Sequence, residues 1–319
     1  MDFGNTKILV TGCAGFIGSS LIDRLLDKEA LVVGVDNFND YYDPKIKEEN
    51  LSGANKNRRF KLYKYDILHL GKLSQIFKKE KPNKIVHLAA RAGVRPSIYD
   101  PILYANVNVL GTVNLVKLSA EYKIDQFILG SSSSVYGDSQ NLPFSENGLC
   151  NKIISPYGAS KRASEFLVES AFKTYSLKSI ILRFFSVYGP RGRPDMAPAL
   201  FTRAILESRP IEQFGDGESL RDYTYIDDII DGIIRALETD LDFEIINLGN
   251  NHPISLNHLI KIIEKITGKK AKINKIGKQT GDAERTWADI AKAKMLLEWE
   301  PKTDMSLGMD EYFQWLKNF

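Results

Sequence analysis

From residue 7 the chain alternates short, continuous apolar runs with stretches of helical spacing. KILVTG (7–12), LVVGVD (31–36), FKLYKYDI (60–67), KIVHLAA (84–90), QFILGSS (126–132) and SIILRFF (179–185) read as strands. SSLIDRLLDKE (19–29), the stretch 101–122 and ASKRASEFLVESAFKTY (159–175) read as helices. Strands that lack a polar face and alternate with helices imply an α/β fold with a parallel sheet covered on both sides. Beyond residue 182 the pattern changes. Gly, Pro and Arg cluster in YGPRGRPDMAP (188–198), followed by a helix (199–209), one more strand, EIINLGN (244–250), and amphipathic helices near 255–266, 288–297 and 306–317. With no repeat and no low-complexity linker, the expected organisation is a unit over 1–182 and a smaller one over 183–319. Segments near 225–250 are expected to return to the first, so that the two interleave.

Composition narrows the function classes. The 319 residues carry a net charge of only +3, too little to argue for nucleic acid. The two cysteines, Cys13 and Cys150, lack metal-type spacing and are expected as free thiols in a cytoplasmic setting. No histidine or cysteine cluster suggests a metal. No basic region followed by a long apolar stretch marks a signal peptide, and no run approaches the ~18 apolar residues of a membrane span.

TGCAGFIG (11–18) places Gly12, Gly15 and Gly18 at a strand-to-helix turn. Glycine there lets backbone N–H groups approach a pyrophosphate, and the helix N-terminus favours its charge. Phe16 and Ile17 belong to the same turn. Asp36 ends the next strand, 24 residues beyond Gly12. A carboxylate there accepts hydrogen bonds from a ribose 2′-hydroxyl and repels a 2′-phosphate, favouring NAD over NADP. Asn37 adjoins it, and Asp66 with Ile67, after the third strand, is placed to reach the adenine.

SPYGASK sets Tyr157 and Lys161 one helical turn apart, on one face. A phenol is a poor base at neutral pH. A nearby ammonium and an oxidised nicotinamide ring favour the phenolate, and a serine at a neighbouring strand end can bond the same oxygen. Tyr, Lys and Ser then form a unit that removes a proton and a hydride from a CH–OH group. The serines of GSSSSVYG (130–137) supply that hydroxyl.

TGCAGFIG, HLAA (87–90), SSSSVYG and YGASK, in this order, resemble the extended short-chain dehydrogenase/reductases of the nucleotide-sugar epimerase/dehydratase type. The resemblance runs from about residue 6 to the C-terminus. It implies a Rossmann-type doubly wound sheet holding NAD, a smaller C-terminal domain holding a nucleoside diphosphate sugar, and Ser132 as the catalytic hydroxyl. It also implies a homodimer through the helices near 101–122 and 157–175. Arg221 in RDYTYIDD is carried over as a diphosphate ligand, with Arg285 in GDAERTWAD; Asp282 falls to the uridine ribose.

Members oxidise C4 of the sugar and differ in the fate of the resulting ketone. The dehydratases resemble one another in an Asp-Glu pair beside the catalytic serine, and the decarboxylases carry Glu before the VYG valine; here stand Ser133 and Ser134. A neutral alcohol does not remove water across C5–C6 at pH 7. Epimerisation needs no further acid or base, because the ketone turns and hydride returns to its other face. DNFNDYYDP (36–44), RAGVR (91–95) and RFFSVYGPRGRPDMA (183–197) resemble the UDP-glucuronate 4-epimerases more than the UDP-glucose ones. Oxidised glucuronate is a β-keto acid that loses CO₂ when its carboxylate is desolvated and perpendicular to the ketone. Ser133, Ser134, Ser186 and Arg193 are the candidates to hold that carboxylate. The open alternatives are a UDP-glucose/UDP-galactose 4-epimerase, a UDP-glucuronate decarboxylase, a net dehydrogenase, and an NAD-binding regulator without turnover.

Overall fold

The computed structural model describes residues 3, 4, 6–277 and 283–318. In chain order the first half runs β1 (Lys7–Thr11), α1 (Phe16–Asp27), β2 (Leu31–Val35), α2 (Pro44–Asn50), β3 (Phe60–Tyr63), α3 (Leu70–Glu80), β4 (Lys84–His87), α4 (Val94–Tyr99) and α5 (Pro101–Tyr104). A π-helical stretch (Ala105–Leu110) leads into α6 (Gly111–Glu121), then β5 (Gln126–Ser132), α7 (Pro156–Tyr175) and β6 (Ser179–Phe184). The second half gives β7 (Ser186–Tyr188), α8 (Ala197–Leu206), β8 (Pro210–Phe214), β9 (Leu220–Arg221), β10 (Tyr223–Tyr225), α9 (Ile226–Glu238) and β11 (Phe243–Leu248). It ends with β12 (Ile254–Ser255), α10 (Leu256–Thr267), β13 (Lys272–Ile276), α11 (Ala291–Leu297) and α12 (Met305–Asn318).

Seven strands form one parallel sheet in the order β11-β6-β5-β4-β1-β2-β3. Successive side chains of β1 explain its two covered faces. Ile8 and Val10 pack with Leu21, Ile22 and Leu25 of α1 and Ile229 and Ile233 of α9. Leu9, between them, packs with Phe77 of α3 and Leu115 and Leu118 of α6. This is the doubly wound arrangement expected of apolar strands with no wet face. Truncating any of these side chains to Ala would cost about 2–5 kcal/mol. β11 extends the sheet beside β6, in register from Phe243 with Ser179 to Leu248 with Phe184. The chain reverses direction of winding between β1 and β4, and ligand clefts of such sheets open at the carboxyl ends of the strands there.

Three details depart from the sequence pattern. The third strand stops at Tyr63, because Asp66 turns the chain: its carboxylate accepts from Leu68 N at 2.8 Å and its carbonyl from His69 N at 3.1 Å. The long helix expected over 101–122 is divided by the π-helical stretch, a distortion frequent at functional sites. Outside the sheet, β7 pairs β10, β9 pairs β12 and β8 pairs β13, in ladders of two to five residues. Among the described residues no helix is long and apolar enough to cross a membrane.

Candidate active site

The carboxyl ends of β1, β2, β4, β5 and β6 and the segments after them open into one cavity of about 870 Å³. Gly12, Gly15, Phe16, Ile17, Gly18, Asp36, Asn37, Asp66 and Ile67 line one end, and Ser132, Tyr157 and Lys161 the middle. Ser133, Ser134, Ser186, Arg193 and Arg221 line the remainder.

The glycine turn fits a dinucleotide by shape. Gly12 has φ +69°, and a Cβ on it would lie 2.7 Å from Ala89 N. A Cβ on Gly18 would lie 2.1 Å from the Gly12 carbonyl oxygen. Only bare backbone allows this approach of turn to helix, and it leaves the N-terminus of α1 facing the cavity. Asp36, nearly buried, accepts from Ala14 N at 3.0 Å and Phe38 N at 2.8 Å, which fixes its carboxylate at the rim. A carboxylate has about four acceptor positions, so capacity remains for a ribose hydroxyl. Asn37 donates to Asp66 at 2.7 Å and ties the adenine end together. These residues fit NAD.

The catalytic candidates come from β5 and the first turns of α7. Ser155 caps that helix, accepting from Gly158 N at 3.1 Å, and Pro156 opens it, so Tyr157 sits in its first turn. Tyr157 packs edge-on against Tyr104, and its backbone N–H donates to the buried Ser97 hydroxyl at 3.1 Å. The Ser132 hydroxyl accepts from the Ser134 backbone N–H at 3.2 Å and donates to the Ser134 hydroxyl at 3.2 Å, and it lies near enough to the Tyr157 phenol to pull its pKa down. Lys161 is 6% exposed and donates to the Gly130 carbonyl at 2.6 Å. Its pKa is pushed down to about 8 by burial, against the upward pull of Glu165. Tyr157 is raised, not lowered: burial dominates, and the Ser132 hydrogen bond and the Arg193 charge only offset it. The lowering expected from Lys161 is therefore not achieved by the protein groups alone. His87 is buried, pushed down to about 3 by burial and by Lys161, and stays neutral. Thr112 donates to Asn108 O at 2.6 Å, so it accepts from His87 Nε2, while Thr11 faces Nδ1 at 2.7 Å. With both ring nitrogens committed, His87 braces β4 against β1 and α6.

Arg193, the candidate cation for the sugar carboxylate, is paired within its own loop. Its Nε and Nη2 donate to the two Asp195 oxygens at 3.0 and 2.6 Å, and Nη2 donates to the Tyr41 hydroxyl at 3.3 Å. Burial opposes its charge, and the Asp195 hydrogen bonds restore it. Ser186 sits in β7 with its backbone N–H on Asp222 O at 3.0 Å. Arg221 turns a guanidinium nitrogen to Leu220 O at 3.0 Å. Arg285 is exposed and does not line the cavity; the extended segment carries Ala283 and Thr286 to the wall instead. Asp282 lies outside the described residues. Sequence reasoning missed Glu165, one turn beyond Lys161 on the same face. It is fully buried and accepts from Ser131 at 2.6 Å, Arg183 at 2.9 and 2.8 Å, and Arg162 at 2.7 Å. Extending the Tyr157–Lys161 spacing by four would have found it. Tyr41 and Tyr42, within DNFNDYYDP, were also missed as cavity residues.

Fold and cavity define a dinucleotide-binding enzyme of the extended short-chain dehydrogenase/reductase type. The chain belongs to the family described as GDP-mannose 4,6 dehydratase, which matches residues 9–312. It is 43% identical over 310 residues to a UDP-glucuronate 4-epimerase of Thermodesulfobacterium geofontis, covering 97% of this chain and 95% of that protein. Its fold is similar, at a TM-score of 0.93 and 39% identity, to UDP-glucuronic acid 4-epimerase from Bacillus cereus in complex with UDP-glucuronic acid and NAD, over 98% of this chain and 99% of that one. It is also similar, at 0.91 and 33%, to UDP-glucose 4-epimerase with UDP-glucose from Thermotoga maritima, over 98% and 99%.

Proposed function

We infer that this protein is an NAD-dependent UDP-glucuronate 4-epimerase, inverting C4 to give UDP-galacturonate. The observation that carries the reaction type is the set of hydroxyls at 133 and 134 beside Ser132, where elimination or decarboxylation would need a carboxylic acid. The relatives named above support the substrate. NAD, which the glycine turn, Asp36 and Lys161 would hold, would supply the acceptor and donor of the C4 hydride and a ring charge that favours a phenolate at Tyr157. Tyr157 takes the O4 proton and later gives it back. Ser132 bonds the same oxygen and holds it in line, and Lys161 supplies the ammonium that stabilises the phenolate. Arg193, Ser133, Ser134 and Ser186 hold the sugar carboxylate solvated by hydrogen bonds and away from the perpendicular geometry that releases CO₂. Arg221 holds the diphosphate, with Arg285 and Asp282 kept as secondary assignments.

We assign residues 1–182, with the return of 225–250, to the cofactor half and 183–319 to the nucleotide-sugar half; the pairing of β11 with β6 supports the return. A homodimer is supported by an exposed apolar strip: Ile98, Tyr99, Ile102 and Leu110 on the 94–110 helices, and Phe166 on α7. A cytoplasmic setting is supported by two unbridged cysteines.

The test incubates purified protein with UDP-glucuronate, without added cofactor, and follows the sugar by NMR. UDP-galacturonate without net NADH is expected. UDP-xylose or a 4-keto pentose would replace this reading by decarboxylation, and turnover of UDP-glucose alone would replace the substrate.

A further inference from the structure

The cation assigned to the substrate carboxylate already holds one. Arg193 and Asp195 meet through two parallel hydrogen bonds, at 3.0 and 2.6 Å. Tyr41, from the loop after β2 on the opposite wall, donates to Asp195 Oδ2 at 3.2 Å, and the Arg193 guanidinium lies over its ring at 5.2 Å. All three line the cavity that holds Tyr157, Ser133 and Ser134. The two partners differ in burial: the Arg193 side chain is 18% exposed and that of Asp195 is 46% exposed. A largely buried guanidinium is costly to leave bare, whereas a half-exposed carboxylate can turn to water at little cost.

Two carboxylates cannot occupy the same Nε–Nη2 edge. A uronate that binds Arg193 on that edge must therefore displace Asp195. Epimerisation then makes a second demand. Between removal and return of hydride the 4-keto sugar turns over, and its carboxylate must let go of whatever held it. We propose that Asp195 is the exchange partner of the sugar carboxylate on Arg193, yielding to it as the sugar binds and taking the guanidinium back while the keto sugar turns. The step breaks and forms hydrogen bonds only; no covalent bond or electron moves. The proposal rests on the UDP-glucuronate reading and makes Asp195 a specificity and turnover residue, not a catalytic one.

An internal competitor weakens binding of the acid sugar and eases its release. Removing it should lower KM and kcat together, the signature of a lost ground-state competitor. The test measures dissociation constants of UDP-glucuronate and UDP-glucose by calorimetry on NAD-loaded protein in a Tyr157→Phe background, where no chemistry intervenes. It compares Asp195→Asn, Asp195→Ser and Arg193→Ala, and adds steady-state kinetics of the Asp195 variants with Tyr157 intact. Both Asp195 variants should bind UDP-glucuronate about fivefold tighter, as expected for the loss of a half-exposed ion pair. UDP-glucose binding should move by less than about twofold, and kcat on UDP-glucuronate should fall by a similar factor to KM. If Arg193→Ala weakens UDP-glucuronate binding while both Asp195 variants leave it unchanged or weaker, the exchange is overturned and the substrate reading stands. If Arg193→Ala leaves it unchanged, Arg193 does not hold the carboxylate, and the exchange falls with that assignment.

Discussion

One wall of the cavity is made of strand ends, the other of short ladders and turns. On the first, Asp36, Ser132 and Lys161 are each fixed by at least one hydrogen bond to backbone, and all three are nearly buried. On the second, Ser186 and Arg221 stand on β7 and β9, strands of three and two residues, and Arg193 on the loop between β7 and α8. The regular wall carries chemistry that must be placed to within a fraction of an ångström. The irregular wall carries the residues proposed above to make and break contacts with a turning sugar. Precision comes from the sheet, and exchange comes from the loops.

The sharpest way to break this comparison is Tyr157→Phe. The change removes one oxygen from the regular wall and should lower kcat by about 10³-fold or more. The melting temperature should stay close to that of the parent, because the ring contact with Tyr104 is kept. NMR of the sugar pool and a thermal scan check both halves. Residual turnover within tenfold of the parent would mean that another group takes the O4 proton.

Next in size is the buried pair behind the serines that end β5. Glu165 and Arg183 are 0% and 1% exposed at their side chains, and burial alone would raise the Glu165 pKa; the hydrogen bonds from Arg183 and Ser131 hold it below its usual value. Glu165→Leu leaves an unpaired buried guanidinium and should cost about 3–5 kcal/mol, whereas Glu165→Leu with Arg183→Met should recover most of that loss. Denaturant titration of both variants measures the difference. Equal losses would show that shape, not charge, fixes β5 against α7. Gly12→Ala comes next, at about 1–3 kcal/mol for a side chain forced to positive φ. It should also reduce the NAD that co-purifies, read from the absorbance of the denatured supernatant.

The regular wall was largely legible in the sequence. QFILGSS is apolar from Phe127 to Gly130 and ends in two serines, so strand and serine site announced themselves together. TGCAGFIG fixed Gly12, Gly15 and Gly18, because the close approach they permit has no substitute. The π-helical stretch was not legible: ANVNVL keeps helical spacing and carries no signal of the extra residue in the turn. The irregular wall was less fully legible. Arg193 stood out as a cation for a carboxylate, and Asp195, two positions away in the same loop, was its alternative partner; the folded chain makes that pair. Arg285 was not legible: its neighbours rather than itself reach the cavity.

A pH series tests the regular wall more gently. Lys161 stands at about 8, below its ordinary value, because burial disfavours its charge. Below that pH the ammonium is present; above it the group is neutral and no longer favours the phenolate. Turnover should therefore decline as pH rises through about 8, by roughly tenfold per unit where this group alone limits the rate. Lys161→Arg keeps a cation at every pH in this range and should flatten that limb, whatever it does to the maximum. A limb that persists unchanged in Lys161→Arg would assign the titration to another group.

The smallest expected effect separates two arginines that the sequence placed together. Arg221 lines the cavity and lies beside Ser219 and Tyr223; Arg285 is exposed, lies off the cavity wall and pairs with Leu220 of β9 through an isolated parallel bridge. A side chain that meets the diphosphate should cost about tenfold or more in KM when cut to Ala, since one charge-assisted hydrogen bond is worth about 1.5–3 kcal/mol. Arg221→Ala should show that rise, with kcat little changed because the contact is equal in ground and transition states. Arg285→Ala should change KM by no more than about twofold, the usual size for a surface charge. Should Arg285→Ala match Arg221→Ala, the exposed side chain must swing onto the nucleotide when it binds. The irregular wall would then close on its ligand by more than the exchange at Arg193.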